Sequence, residues 1–451
     1  MKKRIKQLIL LSGDIAVLYL SLYIALSARY LKLPNLDFFL DHFWIFTMAF
    51  VLWILIFYIF NLYSLIKVND RNYFIKTGLN AIFISFLFSA LIFYLHNDES
   101  ISPKTILLIQ TIISAILFVL WRLTFSIILK KYLPKQNIAF LNLNNESKEI
   151  IKKIINNPQL GYRVSFAIDN KINSYMNIAI FSPQENIKHL IKKYHPDTVV
   201  FPNNVGDDLV MRENLFSCLS FRLNFFSLAH FYEKIIGKIP VEAINQMWFL
   251  ENINEGEKNL LNSIKQIYDF LFSATILIIT FPFWILIGIA IKANSKGPIF
   301  FTQTRLGQNG KLFQIIKFRT MTINNNNHEL TQKNDKRITK IGKFLRSSRI
   351  DEIPQILNIL KGEMSLIGPR PERPEFVKNL EKEIPFYNER LLVKPGVTGW
   401  DQVSGEYHSP NTEDSLKKIQ YDLYYIKNRS IYLDISIMLK TIATIIGRNG
   451  R

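Results

Sequence analysis

The sequence predicts a membrane protein in three parts: an N-terminal bundle of four transmembrane helices, a small α/β domain, and a C-terminal α+β domain with a re-entrant membrane helix. Three observations indicate this. Hydrophobic residues make up 49% of the 451 residues, apolar stretches of membrane-spanning length open the chain, and short apolar runs then alternate with helical stretches. We place the boundaries at 1–133, 134–250 and 251–451.

Four apolar segments, at about 7–28, 40–63, 79–95 and 105–129, each have close to the roughly 20 residues that a helix needs to cross a bilayer. Lysine and arginine are concentrated before the first segment, between the second and third, and after the fourth. By the positive-inside rule, both ends of this bundle face the cytoplasm. Arg122, inside the fourth segment, is expected to be structural and to reach the cytoplasmic interface.

The segment after residue 134 predicts a small α/β domain, because short β-branched runs alternate with helical stretches. The turn after its first predicted strand, residues 143–147, contains no glycine. A pyrophosphate therefore cannot approach the following helix as it does in dinucleotide-binding domains. We expect a packing or regulatory role and no bound nicotinamide or flavin. Residues 232–248 are predicted to be a linker.

The apolar run 270–291 is long enough to cross the bilayer, but two observations favour a hairpin that enters and leaves on the cytoplasmic face. Residues 292–351 hold thirteen Lys/Arg and three Asp/Glu, a local net charge of 13 − 3 = +10, which is typical of the cytoplasmic side. Pro282 lies in the middle of the run and should kink it. We predict a re-entrant helix at about 267–292; a kinked fifth span is the alternative.

Basic residues continue beyond this helix. Lys317 and Arg319 lie on and beside a predicted strand, 312–318, that follows the turn signal Asn309-Gly310. Cations on a strand are commonly solvated, but these recur beside glycine and aromatic residues and are candidates for phosphate contacts. Residues 338–345 have the spacing of an amphipathic helix, which suits the lipid interface or a protein core.

Adjacent carboxylates, Asp351 and Glu352, follow this basic region. Read locally, Asp351 is the N-cap of a helix over 352–360. The surrounding sequence favours more than a cap, because basic residues precede the pair and the Gly/Pro-rich segments 364–371 and 394–400 follow it. Carboxylates, phosphate-binding cations and rigid turns thus recur together.

The sequence from about Lys265 to the C-terminus contains these motifs in the same order as a known family. It resembles the bacterial polyprenyl-phosphate sugar-1-phosphate transferases that start the assembly of surface polysaccharides. The resemblance extends more weakly over the N-terminal part of the long, multi-span members. It implies a Rossmann-like middle domain and transfer of sugar-1-phosphate from a nucleotide diphosphate sugar, UDP-hexose above all, to undecaprenyl phosphate. It also implies the bacterial inner membrane, with the catalytic domain on the cytoplasmic face, and exopolysaccharide, capsule or O-antigen synthesis.

The resemblance also implies residue roles. Asp351 would attack the phosphate next to the sugar and expel nucleoside monophosphate, and Glu352 would help to hold Mg²⁺. Lipid phosphate would then attack the aspartyl intermediate. The residues implied to contact phosphate or nucleotide are Lys317, Arg319, Arg370 and Asp422.

The sequence departs from the family pattern at Asp401 and Glu406, where neutral or basic residues are usual, so no phosphate contact is assigned there. The single cysteine, Cys218, excludes an intramolecular disulfide and a multi-cysteine zinc site. The net charge of +19 suits anionic lipid and phosphorylated substrates. Nucleic acid would give the same signal, but we expect the partners to be nucleotide sugar, undecaprenyl phosphate and membrane lipid, with a homodimer as one alternative.

Two other functional classes stay open at this point. A membrane nucleotide-sugar dehydratase or epimerase would need a glycine-rich dinucleotide turn, which residues 137–161 lack. A non-catalytic scaffold for polysaccharide assembly would share the membrane segments and the basic surface but would not need Asp351 and Glu352.

Overall fold

The computed structural model describes residues 3–65, 71–95, 103–131, 135–170, 174–205, 208–322, 335, 337–404 and 411–446. Glu406 and part of the basic sequence between the second and third membrane segments lie outside these residues. The chain forms two compact units, Met1–Phe231 and Tyr232–Arg451.

Long apolar helices open the first unit. They are α1 (Lys3–Tyr30), α2 (Leu36–Ile59), α3 (Arg71–Leu95) and α4 (Pro103–Lys131). With one further helix in the second unit, they are long and apolar enough to cross a membrane. Large apolar side chains face outwards from them, including Trp44, Met48 and Ile112, whereas Phe46 and Trp53 are buried. An apolar exterior of this kind suits lipid, and the chain is a multi-pass membrane protein.

Arg122 does not reach the interface as predicted. Its side chain is fully buried, and Nη2 donates to Asp14 Oδ2 at 2.6 Å while Nη1 donates to the carbonyl of Leu62. An unpaired charge inside an apolar bundle is expensive, and Asp14 on α1 offers a partner at the same depth. The residue is structural, but through an internal ion pair.

The rest of the first unit is a parallel α/β sheet. Its elements are β1 (Gln136–Phe140), α5 (Asn145–Asn156), β2 (Tyr162–Ile168), β3 (Ala179–Phe181), α6 (Ile187–Tyr194), β4 (Thr198–Phe201), α7 (Leu209–Ser217) and β5 (Asn224–Ser227). The strand order is β3-β2-β1-β4-β5, and all pairs are parallel. This is the doubly wound order, in which the chain reverses its direction of growth between β1 and β4.

Residues 232–248, which we predicted to be a linker, contain regular structure. They include the end of α8 (Leu228–Ile236) and the start of α9 (Gln246–Asn252). Ile239 and Val241 between these helices are buried with apolar residues of the C-terminal region. Burying such side chains is favourable enough to draw the segment into the second unit.

One helix, α10 (Asn259–Asn294), covers the predicted re-entrant segment and continues through Pro282. Proline has no N–H to donate to the carbonyl of residue 278. In the same stretch, Thr280 Oγ1 donates to the carbonyl of Ile276 and accepts from Trp284 Nε1. These bonds support the helix next to the proline.

The remaining elements form a compact α+β region. They are the antiparallel pair β6 (Phe300–Leu306) and β7 (Leu312–Phe318), α11 (Lys340–Ser347), a 3₁₀ helix (Ile350–Gln355), α12 (Ile356–Leu360), β8 (Ser365–Ile367), α13 (Pro374–Glu383), β9 (Gly396–Thr398), α14 (Thr412–Asn428) and α15 (Ile431–Ile446). Strands β8 and β9 pair in parallel. The predicted strand 312–318 is β7, and the predicted amphipathic helix begins at Lys340, capped by Thr339.

Candidate active site

The two adjacent carboxylates lie in the first turn of the 3₁₀ helix. Helix α11 ends at Ser347 with Ser348 as its C-cap, and Arg349 then adopts a left-handed conformation with φ 56° before the 3₁₀ helix begins at Ile350. For a non-glycine residue this conformation costs about 1–3 kcal/mol, and residues with such strain cluster at functional sites. Asp351 is therefore the second residue of the turn and not the N-cap that a local reading suggests.

Glu352 is held by cations from two other elements. Its Oε1 accepts from Lys317 Nζ and from Arg370 Nη2, each at 2.7 Å, and its Oε2 lies 4.0 Å from Arg349 Nη1. Burial alone would raise the pKa of Glu352, but Arg370 and Lys317 outweigh it and hold this pKa well below the usual range. Glu352 is therefore ionised at neutral pH.

Asp351 has a different environment. Within the described part of the chain, its carboxylate makes no hydrogen bond or close ion pair. Burial and the neighbouring charge of Glu352 raise the pKa of Asp351 to about 6, although Lys317, Arg346 and Arg370 oppose the increase. Among the described residues, Asp351 is thus a carboxylate that cations surround without bonding to it, and it is largely ionised at pH 7.

Lys317 is positioned by the strand that carries it. Asn358 on α12 is fully buried, and its side chain accepts from the N–H of Ile316 and donates to the carbonyl of Gln314. These two bonds fix β7 against the helix that follows Asp351 and Glu352, together called the dyad, so that Lys317 meets Glu352. Burial lowers the pKa of Lys317.

The structure does not bring Arg319 to the dyad. Its guanidinium Nη2 donates to the carbonyl and hydroxyl of Ser295, the residue that caps α10. Arg319 thereby ties β7 to the end of the membrane helix. Two of its nitrogens, Nε and Nη1, are buried without a partner among the described residues.

The turn that carries Arg370 has its backbone fixed on both sides. Arg390 Nη2 donates to the carbonyl of Arg370 at 2.9 Å, and Arg305 Nη1 donates to the carbonyl of Pro371 at 3.0 Å. Before the turn, β8 passes so close to β9 that a Cβ on Gly368 would lie 2.4 Å from the carbonyl oxygen of Lys394. A rigid turn of this kind keeps the Arg370 guanidinium beside Glu352.

Behind the turn lies a buried charge network that we did not predict. Glu372 Oε1 accepts from Lys418 Nζ at 2.8 Å, and Arg305 and Arg390 lie within 3.9 Å of its carboxylate. These cations outweigh the effect of burial and lower the pKa of Glu372 to about 2. Nothing in the local sequence signals the network, because its members come from β6, from residues near 390 and from α14.

Asp422 belongs to this network and does not face the dyad. Its carboxylate is fully buried, with Oδ2 2.8 Å from Arg390 Nη2. Burial raises the pKa of Asp422 to about 7 even though Arg390 opposes the increase, and the nearby charge of Asp401 adds to it. Asp422 is therefore linked to the site through Arg390, which bonds to the Arg370 carbonyl.

Few side chains at the site could bind a metal ion. In the described ranges there is no cluster of three or more His, Cys, Asp or Glu side chains. Asp351 and Glu352 offer two carboxylates, although Lys317 and Arg370 already occupy Glu352 Oε1. This set fits Mg²⁺, which is commonly bound through one or two carboxylates, water and substrate phosphates.

The C-terminal region that contains this site is similar in sequence to known proteins. Residues 260–448 match the family model described as "Bacterial sugar transferase". A UDP-N-acetylgalactosamine-undecaprenyl-phosphate N-acetylgalactosaminephosphotransferase of Aeromonas hydrophila is 44% identical over 185 residues, 41% of this chain and 44% of that protein. A UDP-glucose:undecaprenyl-phosphate glucose-1-phosphate transferase of Klebsiella pneumoniae is 29% identical over 312 residues, 68% of this chain and 67% of that protein.

A protein of Caulobacter vibrioides with the same name as the Klebsiella relative is 37% identical over 185 residues, 40% of this chain and 69% of that protein. The match to the Aeromonas protein spans less than half of that protein's length. The match to the Klebsiella protein is longer than the 448 − 260 + 1 = 189 residues of the family model, so that likeness extends outside this region. These findings confirm the resemblance predicted from the motifs, and the chain belongs to the bacterial sugar transferase family.

Proposed function

We propose that this protein transfers a sugar-1-phosphate from a UDP-hexose to undecaprenyl phosphate on the cytoplasmic face of the bacterial inner membrane. The observation that carries the proposal is the position of Asp351, which lies among Lys317, Arg346 and Arg370 and next to an ionised Glu352, and whose carboxylate has no hydrogen-bond partner among the described residues. The relatives act on UDP-N-acetylgalactosamine or UDP-glucose, as their names state. The reaction would begin the synthesis of an exopolysaccharide, a capsule or an O-antigen.

In the first step, a carboxylate oxygen of Asp351 attacks the phosphorus atom that is bonded to the sugar oxygen. The new O–P bond makes an acyl phosphate, and the bond to the bridging oxygen of the diphosphate breaks, so that UMP leaves with the electron pair. Lys317 and Arg370 are positioned to bind the negative phosphate oxygens as charge develops. A raised pKa makes Asp351 a better nucleophile than a fully solvated carboxylate.

In the second step, a phosphate oxygen of undecaprenyl phosphate attacks the same phosphorus. The acyl–phosphate bond breaks, the carboxylate of Asp351 is restored, and the lipid carries a sugar diphosphate. Since one phosphoanhydride replaces another, the chemistry requires little driving force. Two steps also let the site bind one large anionic substrate at a time.

Glu352 and the substrate phosphates would hold Mg²⁺, with Glu352 Oε2 the oxygen that is not paired to Lys317 or Arg370. A bound Mg²⁺ would neutralise charge on the diphosphate. Lys317 and Arg370 would supply part of that neutralisation themselves. We expect removal of divalent ions by EDTA to abolish turnover and added Mg²⁺ to restore it.

We also propose that α10 enters the membrane from the cytoplasmic face, bends at Pro282 and leaves on the same face. Both of its ends contact the same compact unit: Asp269 Oδ1 accepts from the N–H of Leu366, and Ile291 is buried with Phe318 and Leu345. Asp269 and Ile291 are 22 residues apart, about 33 Å along a straight helix. A straight transmembrane path would place one of these contacts on the far side of a hydrocarbon core about 30 Å thick.

Cysteine labelling tests this topology. In a Cys218→Ala background, Lys311→Cys should be protected from an impermeant maleimide in intact cells and labelled after lysis, because both ends of α10 would face the cytoplasm. Leu33→Cys, between α1 and α2, is the matched control and should be labelled in intact cells. Both positions are solvent-exposed. External labelling of Lys311→Cys would show that α10 crosses the membrane.

Purified protein, undecaprenyl phosphate and a panel of UDP-hexoses test the activity. We expect one or more donors to give UMP and a lipid-linked sugar diphosphate in equal amounts, with Mg²⁺ required. Donor isomerisation or dehydration without lipid product would indicate a nucleotide-sugar epimerase or dehydratase. Absence of turnover with every donor, in protein that is folded by circular dichroism, would contradict the proposal and favour a scaffold.

Asp422→Asn tests whether Asp422 acts through Arg390. We expect kcat/KM for the donor to fall about tenfold, a loss of about 1.4 kcal/mol, mainly through KM, because the Arg370 turn loses its support. The Tm of Asp422→Asn should not fall together with its activity. Burial raises the pKa of Asp422 above its unfolded value, so its ionised form destabilises the fold as pH rises, and a neutral Asn should leave Tm at pH 8 unchanged or higher.

The control for Asp422→Asn is Glu375→Gln, which removes one exposed carboxylate from α13 in the same unit. It should leave KM and kcat unchanged. A normal KM in Asp422→Asn, or a drop in Tm that accounts for the lost activity, would contradict a positioning role.

A further inference from the structure

A crevice of about 460 Å³ opens at the carboxyl ends of the parallel strands in the α/β region. This volume is in the range of small-molecule sites, about 300–1,000 Å³. Residues directly after β1, β2 and β4 line it. In a doubly wound sheet, the crevice at the point where strand order reverses is where ligands bind.

The lining argues against a phosphate ligand. Of the twelve residues that line the crevice within the described part of the chain, two are aspartates, Asp169 and Asp208, and none is lysine or arginine. At the start of α5, Asn144 Oδ1 already accepts from the N–H and the hydroxyl of Ser147, both within 2.9 Å. A phosphate would therefore meet negative charge and a helix terminus that is already capped.

The lining suits hydroxyl groups. Asp169 follows β2 directly, and its backbone N–H donates to the carbonyl of Phe181 on β3, so the residue has a fixed position at the strand end. In doubly wound domains a carboxylate near this strand end is the group that accepts ribose hydroxyls. Amide side chains beside it, Asn142 and Asn170, can both donate and accept.

We propose that this crevice binds an uncharged compound with two neighbouring hydroxyl groups, a nucleoside or a sugar, and that Asp169 accepts both hydroxyls. Apolar wall residues such as Leu143 and Ile168 would pack against the base or the sugar ring. The site lies in the first unit and is independent of Asp351, so its binding does not depend on the proposed transfer reaction.

Binding is measured with the full-length protein in detergent micelles, using adenosine and methyl α-mannoside as the two probes. We expect one of them to bind with a measurable Kd in equilibrium dialysis, which distinguishes a nucleoside site from a sugar site. 2′-Deoxyadenosine, or methyl 2-deoxy-α-mannoside for a sugar site, should bind at least tenfold more weakly. AMP or mannose 6-phosphate should bind no more tightly than its uncharged counterpart.

Two substitutions locate the site. Asp169→Asn should weaken binding at least tenfold, because the amide cannot accept two hydroxyls in the same way, whereas Glu213→Gln on α7 removes an exposed carboxylate of the same unit and should leave Kd unchanged. Should Asp169→Asn fold poorly, Asn204→Trp serves as a second variant. Asn204 is exposed at the rim, and tryptophan there should fill the crevice and abolish binding.

The proposal is overturned if neither probe binds, if Asp169→Asn and Asn204→Trp both leave Kd unchanged, or if the phosphorylated compound binds more tightly than its uncharged counterpart. The proposal is supported if Asp169→Asn binds the probe more weakly while Glu213→Gln keeps the wild-type Kd, and if both variants keep the wild-type Tm.

Discussion

Replacing Asp351 by asparagine should lower turnover by roughly 10³–10⁵-fold, the loss typical for removal of a catalytic nucleophile. The amide cannot form an acyl phosphate, so neither half of the transfer can proceed. If Asp351 were instead a helix cap, asparagine would replace it with little effect, because the two residues cap about equally well. The position of Asp351 inside the 3₁₀ turn already argues against a cap.

Folding should survive this substitution. No described residue makes a hydrogen bond to the Asp351 carboxylate, so none is lost. Burial and Glu352 raise the pKa of Asp351 to about 6, above its unfolded value, and the ionised form therefore destabilises the fold at pH 7. We expect the Tm of Asp351→Asn at pH 7 to equal or exceed that of the wild type, with unchanged elution in detergent.

The covalent step can be observed directly. Wild-type protein given the productive UDP-hexose without lipid acceptor should carry a sugar-phosphate adduct on the peptide that contains Asp351, detected by mass spectrometry at low pH. Asp351→Asn should carry none, and Glu375→Gln should carry as much as the wild type. Substantial turnover by freshly prepared Asp351→Asn, free of deamidation, would refute the aspartyl intermediate.

The membrane helices and the α/β region could be predicted from the sequence because their signals are local. Apolar length identifies a span, and alternating runs identify a parallel sheet. The pairing of Arg122 with Asp14 could not be predicted, since the two residues are 108 positions apart and meet only when α1 packs on α4. The packing of residues 232–248 could not be predicted either, because no local signal shows that Ile239 and Val241 pack against apolar residues far along the chain.

At the site, the motifs identified Asp351, Glu352, Lys317 and Arg370, of which the last three are in direct contact. The sequence could not show that Arg319 bonds to Ser295, because a cation beside a strand gives no sign of its partner. Neither the left-handed Arg349 nor the support of the Arg370 turn by Arg390 has a local signature. Sequence motifs thus indicate candidate site residues, and long-range packing decides how they are held.

Replacing Glu352 by glutamine should reduce turnover by roughly 10²–10³-fold, as removal of a positioned charge at a developing transition state usually does. Glu352 neutralises Lys317 and Arg370, so its loss frees both cations to pair with Asp351 and hold it away from the phosphorus. More Mg²⁺ should also be needed for half-maximal rate, because one proposed ligand is gone. Glu375→Gln should show neither effect.

The pH dependence of kcat/KM distinguishes control of the Asp351 charge by Glu352 from general damage to the site. The pKa of Asp351, about 6 in the wild type, depends on burial first and on the charge of Glu352 next. The acid limb of kcat/KM should therefore lie near pH 6 in the wild type and move to lower pH in Glu352→Gln, where Lys317 and Arg370 act on Asp351 unopposed. Glu352→Asp keeps the charge and should keep the limb near pH 6.

The Tm of Glu352→Gln should change in the opposite direction from the Tm of Asp351→Asn. The pKa of Glu352 is held well below its unfolded value, so its ionised form stabilises the fold at every pH above the usual carboxyl range, and that contribution is lost only as pH falls through the depressed pKa. Glu352→Gln should therefore lower Tm at pH 7 and leave Lys317 without its carboxylate partner. An unchanged Tm together with an acid limb still at pH 6 would show that Glu352 does not control the charge of the site.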